Sequence, residues 1–163
     1  MKRRVLTILI LSGAVLVIAV LAWFIVSNTK DSTSLETKTY QSLSQSVNLP
    51  LYMPKNSATY KFESASAQDE SIVISTYTTD KGVINVTQQP RPVVDPYNEK
   101  VKPADSYITS VGNARLFPDV KGEPYVVVQT EKTWVIVRST DQKILSKDLK
   151  AFCLALTEVK ASN

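Results

Sequence analysis

Histidine is missing from this chain altogether, and cysteine occurs once, as Cys153. Without histidine there is no imidazole base for a serine or cysteine nucleophile and no imidazole metal ligand. Triad hydrolases and the usual zinc sites are therefore excluded. A single cysteine cannot close an intramolecular disulfide. Glycine is scarce: Gly13, Gly82, Gly112 and Gly122 are the only four, and no phosphate-cradling glycine loop can be assembled from them. Charge imbalance is confined to the first residues. Removing Lys2, Arg3 and Arg4 takes the formal net charge from +4 to +1, which leaves no basic field for nucleic acid.

What the chain has is one long apolar run. Residues 5–26 carry no charge, and only Thr7 and Ser12 interrupt them with polar side chains. As a helix this run rises about 33 Å, enough to cross a hydrocarbon core of about 30 Å. Lys2, Arg3 and Arg4 precede it and only Lys30 follows closely, a bias that keeps the N-terminus in the cytoplasm. Trp23 lies near the outer end, where an indole favours the headgroup level. Val20-Leu21-Ala22 imitates a signal cleavage site, but Trp23-Phe24-Ile25-Val26 continues the run past it, which favours an uncleaved anchor. The expected layout is a cytoplasmic tip over 1–4, a transmembrane anchor over 5–26, a Ser/Thr-rich spacer over 27–39 and a β-rich domain over 40–163. That domain is expected outside the plasma membrane, with the bilayer as a partner through residues 5–26.

The spacing of apolar residues beyond the anchor predicts α+β. Thr33-Ser34-Leu35-Glu36 has capping-box spacing, and Tyr40, Leu43 and Val47 follow at helical intervals, giving a short helix over 34–47. The segment 50–54 is bounded by prolines and reads as extended. Strands are predicted over 60–67, 71–78 and 82–89, an antiparallel meander with a turn at Asp80-Lys81-Gly82. The stretch 90–103 holds four prolines and cannot be a central strand. A hairpin is expected about Gly112-Asn113. A second, with strands 125–130 and 133–138 around Glu131-Lys132, has continuous β-branched runs that suggest burial on both faces. Leu145, Leu149, Phe152, Leu156 and Val159 recur at helical spacing, with Cys153 beside Phe152 on the same stripe, so a helix capped by Ser146 is predicted over 146–159, packed on a mainly antiparallel sheet.

Few side chains invite a chemical role. Cys153 falls in the middle of that helix with no activating base and reads as packing. Asp69 and Glu70 are adjacent in a turn, while Asp95, Glu99 and Asp105 lie in or near the proline-rich stretch. Nothing in their spacing brings two carboxylates together. Asn85-Val86-Thr87 matches a glycosylation acceptor but sits inside a predicted strand. Trp134 reads as core. The proline-rich loop, with Arg91 and Tyr97, is the surface nominated for partner contact. Lys2, Arg3, Arg4 and Trp23 are the expected membrane-interface residues. No catalytic, cofactor-binding or metal-ligating residue is assigned.

Val47-Asn48-Leu49-Pro50-Leu51-Tyr52-Met53-Pro54, the strands Ile72–Thr78 and Val83–Gln89, Trp134-Val135-Ile136-Val137 and the helix opening Ser146-Lys147-Asp148-Leu149 resemble an uncharacterised bacterial extracytoplasmic domain. That domain is carried by lipoproteins and by the outer parts of anti-sigma-type membrane proteins. The resemblance covers roughly residues 40–160. It implies a lipoprotein-carrier-like fold, a curved antiparallel sheet with helices on one side, and brings no catalytic residues. This chain lacks the lipobox cysteine, and four residues ahead of the anchor are too few to hold a sigma factor. The reading reached is a non-catalytic, membrane-tethered module for binding or envelope association, its partner an unknown envelope protein. The alternative is a carrier or sensor for an apolar ligand in a concave sheet pocket, and a weaker one is a carboxylate-based extracytoplasmic hydrolase.

Overall fold

The computed structural model describes residues 35–55, 59–94, 102–118 and 123–160. The chain divides into two compact units, Met1–Ser34 and Leu35–Asn163, and every described residue belongs to the second. The expected anchor, with Lys2, Arg3, Arg4 and Trp23, lies outside the described residues, as do Asp95, Tyr97 and Glu99. Among the described residues no helix is long and apolar enough to cross a membrane.

The domain is α+β. Among the described residues a first helix, α1, runs through 35–46 and takes in residues that composition alone groups with the spacer. Nine strands follow among the described residues: β1 Tyr52–Pro54, β2 Lys61–Ala67, β3 Val73–Thr79, β4 Gly82–Pro90, β5 Asp105–Ile108, β6 Asn113–Phe117, β7 Tyr125–Gln129, β8 Thr133–Arg138 and, after the helix α2 (Ser146–Leu154), β9 Leu156–Glu158. Seven of them form an antiparallel sheet in the order β2-β3-β4-β8-β7-β6-β5, and β1 pairs with β9 in a separate ribbon.

All neighbours in the large sheet are antiparallel, so β4 and β5 run in the same direction with three strands between them. A same-direction connection has to return from one end of the sheet to the other, which takes about a dozen residues or more. Topology thus sets the length of the proline-rich segment 91–104.

Alternation along the strands sorts the side chains into two faces. Val73 and Tyr77 of β3, Ile84 and Val86 of β4, Val135 and Val137 of β8, and Val126 and Val128 of β7 join Tyr40 and Val47 from the α1 region and Leu149 and Phe152 of α2 in the main core. The opposite face carries a smaller cluster of Phe117, Val127, Trp134 and Ile136. Strands β7 and β8 are therefore buried on both faces, as their continuous β-branched runs require.

The predicted helix over 146–159 is too long. It stops at Leu154, and Leu156 and Val159 keep their burial on the extended segment that includes β9. A run with apolar residues three and four apart also fits alternation at its last positions. Here the open edge of β1 decides, through Tyr52↔Glu158 and Pro54↔Leu156 pairing. The other edge of β1 meets a side chain. The Gln88 carboxamide accepts the Tyr52 N–H at 2.7 Å and donates to its carbonyl at 2.8 Å, standing in for a neighbouring strand.

Three hairpins close on the same device. Thr79, Thr109 and Thr130 each open a two-residue loop, and each hydroxyl accepts the amide N–H three residues on: Gly82 at 3.2 Å, Gly112 at 3.1 Å and Thr133 at 2.9 Å. The loop at Thr109 moves the expected turn from Gly112-Asn113 to Ser110-Val111, which shortens the preceding strand to Ile108. The side-chain acceptor also explains how Glu131-Lys132 form a tight loop with no glycine or asparagine. Replacing the buried Thr130 by Val removes the acceptor from an amide that water cannot reach. We expect a loss of about 1–3 kcal/mol in the unfolding free energy of the full chain, measured by urea denaturation in detergent.

Candidate functional site

Where β6 and β8 end, the segments 116–118, 123–124 and 139–147 bound a cleft of about 580 Å³ with Ala104. Leu116, Pro118, Pro124, Ile144 and Leu145 give it apolar walls, and Glu123, Asp141 and Lys147 place charges around it. A volume of this size falls within the range that small ligands or a few side chains of a partner occupy.

The wall at 139–145 is held by short polar contacts. Ser139 Oγ donates to the Val83 carbonyl at 2.7 Å and accepts the Asp141 N–H at 3.0 Å, and the Ile144 N–H reaches back to the Asp141 carbonyl at 2.9 Å. Gly82, at φ +144°, makes the space: a Cβ there would run into the Asp141 carboxyl group. Asp148 then joins the wall to the β3–β4 turn. It binds Lys81 at 2.6 Å and accepts the Leu145 N–H at 2.9 Å. Lys81 first, and the Leu145 amide second, hold its carboxyl below the usual carboxylate range.

This wall also moves the helix cap. Ser146, the expected cap, is the first helical residue, and Leu145 occupies the cap position with no side-chain bond to offer. Leu145 is 51% exposed and lines the cleft. A solvent-facing leucine in place of serine or aspartate gives up a cap worth about 0.5–2 kcal/mol. Departures of this kind from local preference concentrate where function requires a particular side chain.

A second constellation is buried under α1. The Tyr77 hydroxyl donates to Glu36 Oε1 at 2.8 Å and lies 3.1 Å from the Tyr40 hydroxyl, which contacts Ser75 Oγ at 2.8 Å and Gln88 Nε2 at 3.5 Å. Burial pushes the Glu36 carboxyl above its ordinary value, against the opposing Tyr77 bond. Burial likewise raises Tyr40 to about 12 and Tyr77 well above its usual range. The Thr33 end of the expected capping box lies outside the described residues; the Glu36 carboxyl group turns into the core and meets a strand.

The nominated surface residues fare differently. Arg91 is a fastener: its N–H donates to the Lys132 carbonyl at 2.8 Å and its guanidinium to the Thr130 carbonyl at 3.4 Å, tying the end of β4 to the β7–β8 loop. Tyr97 lies outside the described residues. Asp69 is spent on its own turn, accepting the Ser71 and Ile72 amides, and Asp105 pairs with Lys150 at 3.0 Å. Trp134 is buried on β8. Among the described residues no cluster of three metal-ligating side chains occurs. The Cys153 thiol is buried beside the Tyr107 hydroxyl, and burial pushes it up to about 12.

Sequence reasoning put Leu145 on the packed stripe of α2, whereas it is half-exposed on the cleft wall, and it missed the buried roles of Glu36 and Gln88. Glu36 and Tyr40 share a helix face at i, i+4, and Ser75 and Gln88 are polar residues at inward strand positions, so a search for inward polar side chains would have found the buried group. Compared with family models, with curated proteins and with solved structures, the chain matches none.

Replacing Leu145 by Ser supplies the missing cap acceptor and removes an exposed apolar side chain. We expect it to stabilise the chain by about 0.5–1 kcal/mol in denaturant titration. A loss of stability would show that Leu145 serves packing instead. Cys153, being buried and overwhelmingly protonated at pH 8, is expected to react with thiol reagents slowly in the native chain and rapidly after denaturation.

Proposed function

We propose that this chain is a non-catalytic, membrane-tethered binding module whose domain lies outside the plasma membrane and engages its partner through the cleft beside Leu145. The tether reading is supported by the uncharged run 5–26, the basic residues ahead of it and Trp23 near its outer end. The binding reading is carried by one observation: an exposed leucine holds the cap position of α2 on the wall of the cleft, where a polar residue would serve the helix better. An envelope protein is the partner this reading expects.

A second reading, an apolar ligand carried or sensed by the domain, draws on the apolar walls formed by Leu116, Ile144 and Leu145. Its place would be this cleft. The sheet face beneath the helices is filled by core side chains.

A photo-crosslinking residue at position 145, in the full chain in intact cells, tests the proposal. Position 132, on the loop at the far end of β8, is the control. Adduct formation at 145 and not at 132, together with removal of the domain by externally added protease, is the expected result. The mass of the adduct separates a protein partner from a small apolar ligand. Equal labelling at both positions, or none at 145, overturns the assignment of the cleft. A domain protected from protease in cells that also protect a cytoplasmic marker overturns the orientation alone.

A further inference from the structure

Among the described residues, Glu36 is the one carboxylate with almost no access to solvent, at 6% exposure, and it sits on α1. No cation is in ion-pair contact with it among the described residues. The titratable groups facing it are Tyr77, from the strand beneath, and Tyr40, one turn along its own helix; both are neutral at ordinary pH. Ser75 and Gln88 complete the cluster without charge. A buried carboxylate with a single hydroxyl donor is a poor match for a full negative charge, whereas a neutral carboxyl group is well served by the same partners.

The hydroxyl chain accommodates both states. With Glu36 ionised, Tyr77 donates to the carboxylate, Tyr40 donates to Tyr77 and Ser75 donates to Tyr40. With Glu36 neutral, its O–H donates to Tyr77 and each bond reverses, so that Tyr40 donates to Ser75. Contacts of 2.8, 3.1 and 2.8 Å allow either direction. What changes is the cost of keeping a bare charge away from water.

We propose that Glu36 is a proton-operated latch between α1 and β3, closed when the carboxyl group is neutral and loosened when it is ionised. The sign follows from linkage. The docked segment holds the proton more tightly than an undocked one, whose glutamate is solvated and ordinary. Docking is therefore fully favoured below the ordinary glutamate range and weakens as pH rises through the raised value. The latch acts on α1, the helix through which residue 34 and everything before it joins the domain, and it uses none of the cleft residues.

The test is amide hydrogen exchange on the full chain in lipid nanodiscs between pH 4 and pH 8, corrected for the intrinsic pH dependence of exchange. Amides 40–43 report on the latch, because in a helix they bond to the carbonyls of residues 36–39. Their opening is expected to increase with pH by roughly tenfold for each pH unit by which the docked Glu36 exceeds its undocked value, while amides of β8 stay unchanged. Glu36→Gln keeps the polar contact and removes the ionisation, so opening should become independent of pH. Carbon-13 titration of the Glu36 carboxyl group in the unmodified chain gives a readout that needs no variant, and should show a midpoint above that of free glutamate in the same range. Opening that is flat with pH, an ordinary midpoint, or a pH dependence that survives Glu36→Gln would each overturn the latch.

Discussion

Tyr77 is the point at which the parts of this domain are fastened together. Its ring is fully buried on β3 and stands edge-on to Phe62 of β2 at 5.7 Å and to Phe152 of α2 at 5.1 Å. Tyr40 of α1 leans on Phe62 at 6.1 Å, and Tyr60, just before β2, meets Phe152 at 4.9 Å. The Tyr77 hydroxyl reaches past these rings to Glu36 and Tyr40. One side chain thus holds both helices to the sheet, by edge-to-face ring contacts on one side and by hydrogen bonds on the other. At nine residues α2 is too short to be stable alone.

The cleft inherits its shape from this arrangement. Phe152 fixes α2 over the sheet, and Lys81 with Asp148 pins the helix start to the β3–β4 turn. The segment from Ser139 to Leu145 then has to bridge from the end of β8 to a helix already in place, and Leu145 ends it at the cleft wall. Gln88 does comparable work for the β1–β9 ribbon, where a side-chain amide replaces the strand that geometry does not supply. Both cases show a polar side chain completing a backbone pattern, which is how a mostly antiparallel fold poor in glycine closes its corners.

Much of this architecture was legible in the chain. The meander of β2, β3 and β4, the pairing of β7 with β8 and the presence of a helix near Ser146 follow from alternation, β-branched runs and turn residues, all local signals. The strand at Leu156–Glu158 was not, because its spacing satisfies a helix equally well and the choice depends on β1, about a hundred residues earlier in the chain. The proline-rich segment 91–104 was readable as a connection but not as an end-to-end return, which only the strand order requires. At the candidate site the losses were larger. A leucine at a cap position contradicts local preference, and Glu36 satisfied a capping pattern while its partner lay on a strand 41 residues away. Inward polar residues are legible only once both neighbouring elements are placed.

A double-mutant cycle on Tyr40 and Tyr77, each replaced by Phe, measures the central fastening most directly. The rings and their packing stay, and only the hydroxyls are lost. Each single change is expected to cost about 1–3 kcal/mol of unfolding free energy, because it leaves buried partners unsatisfied. The double change should cost less than the sum by at least about 0.5 kcal/mol, since the two hydroxyls share one bond. Additive losses, or a Tyr77→Phe chain as stable as the original, would contradict the account and leave the helices held by ring packing alone.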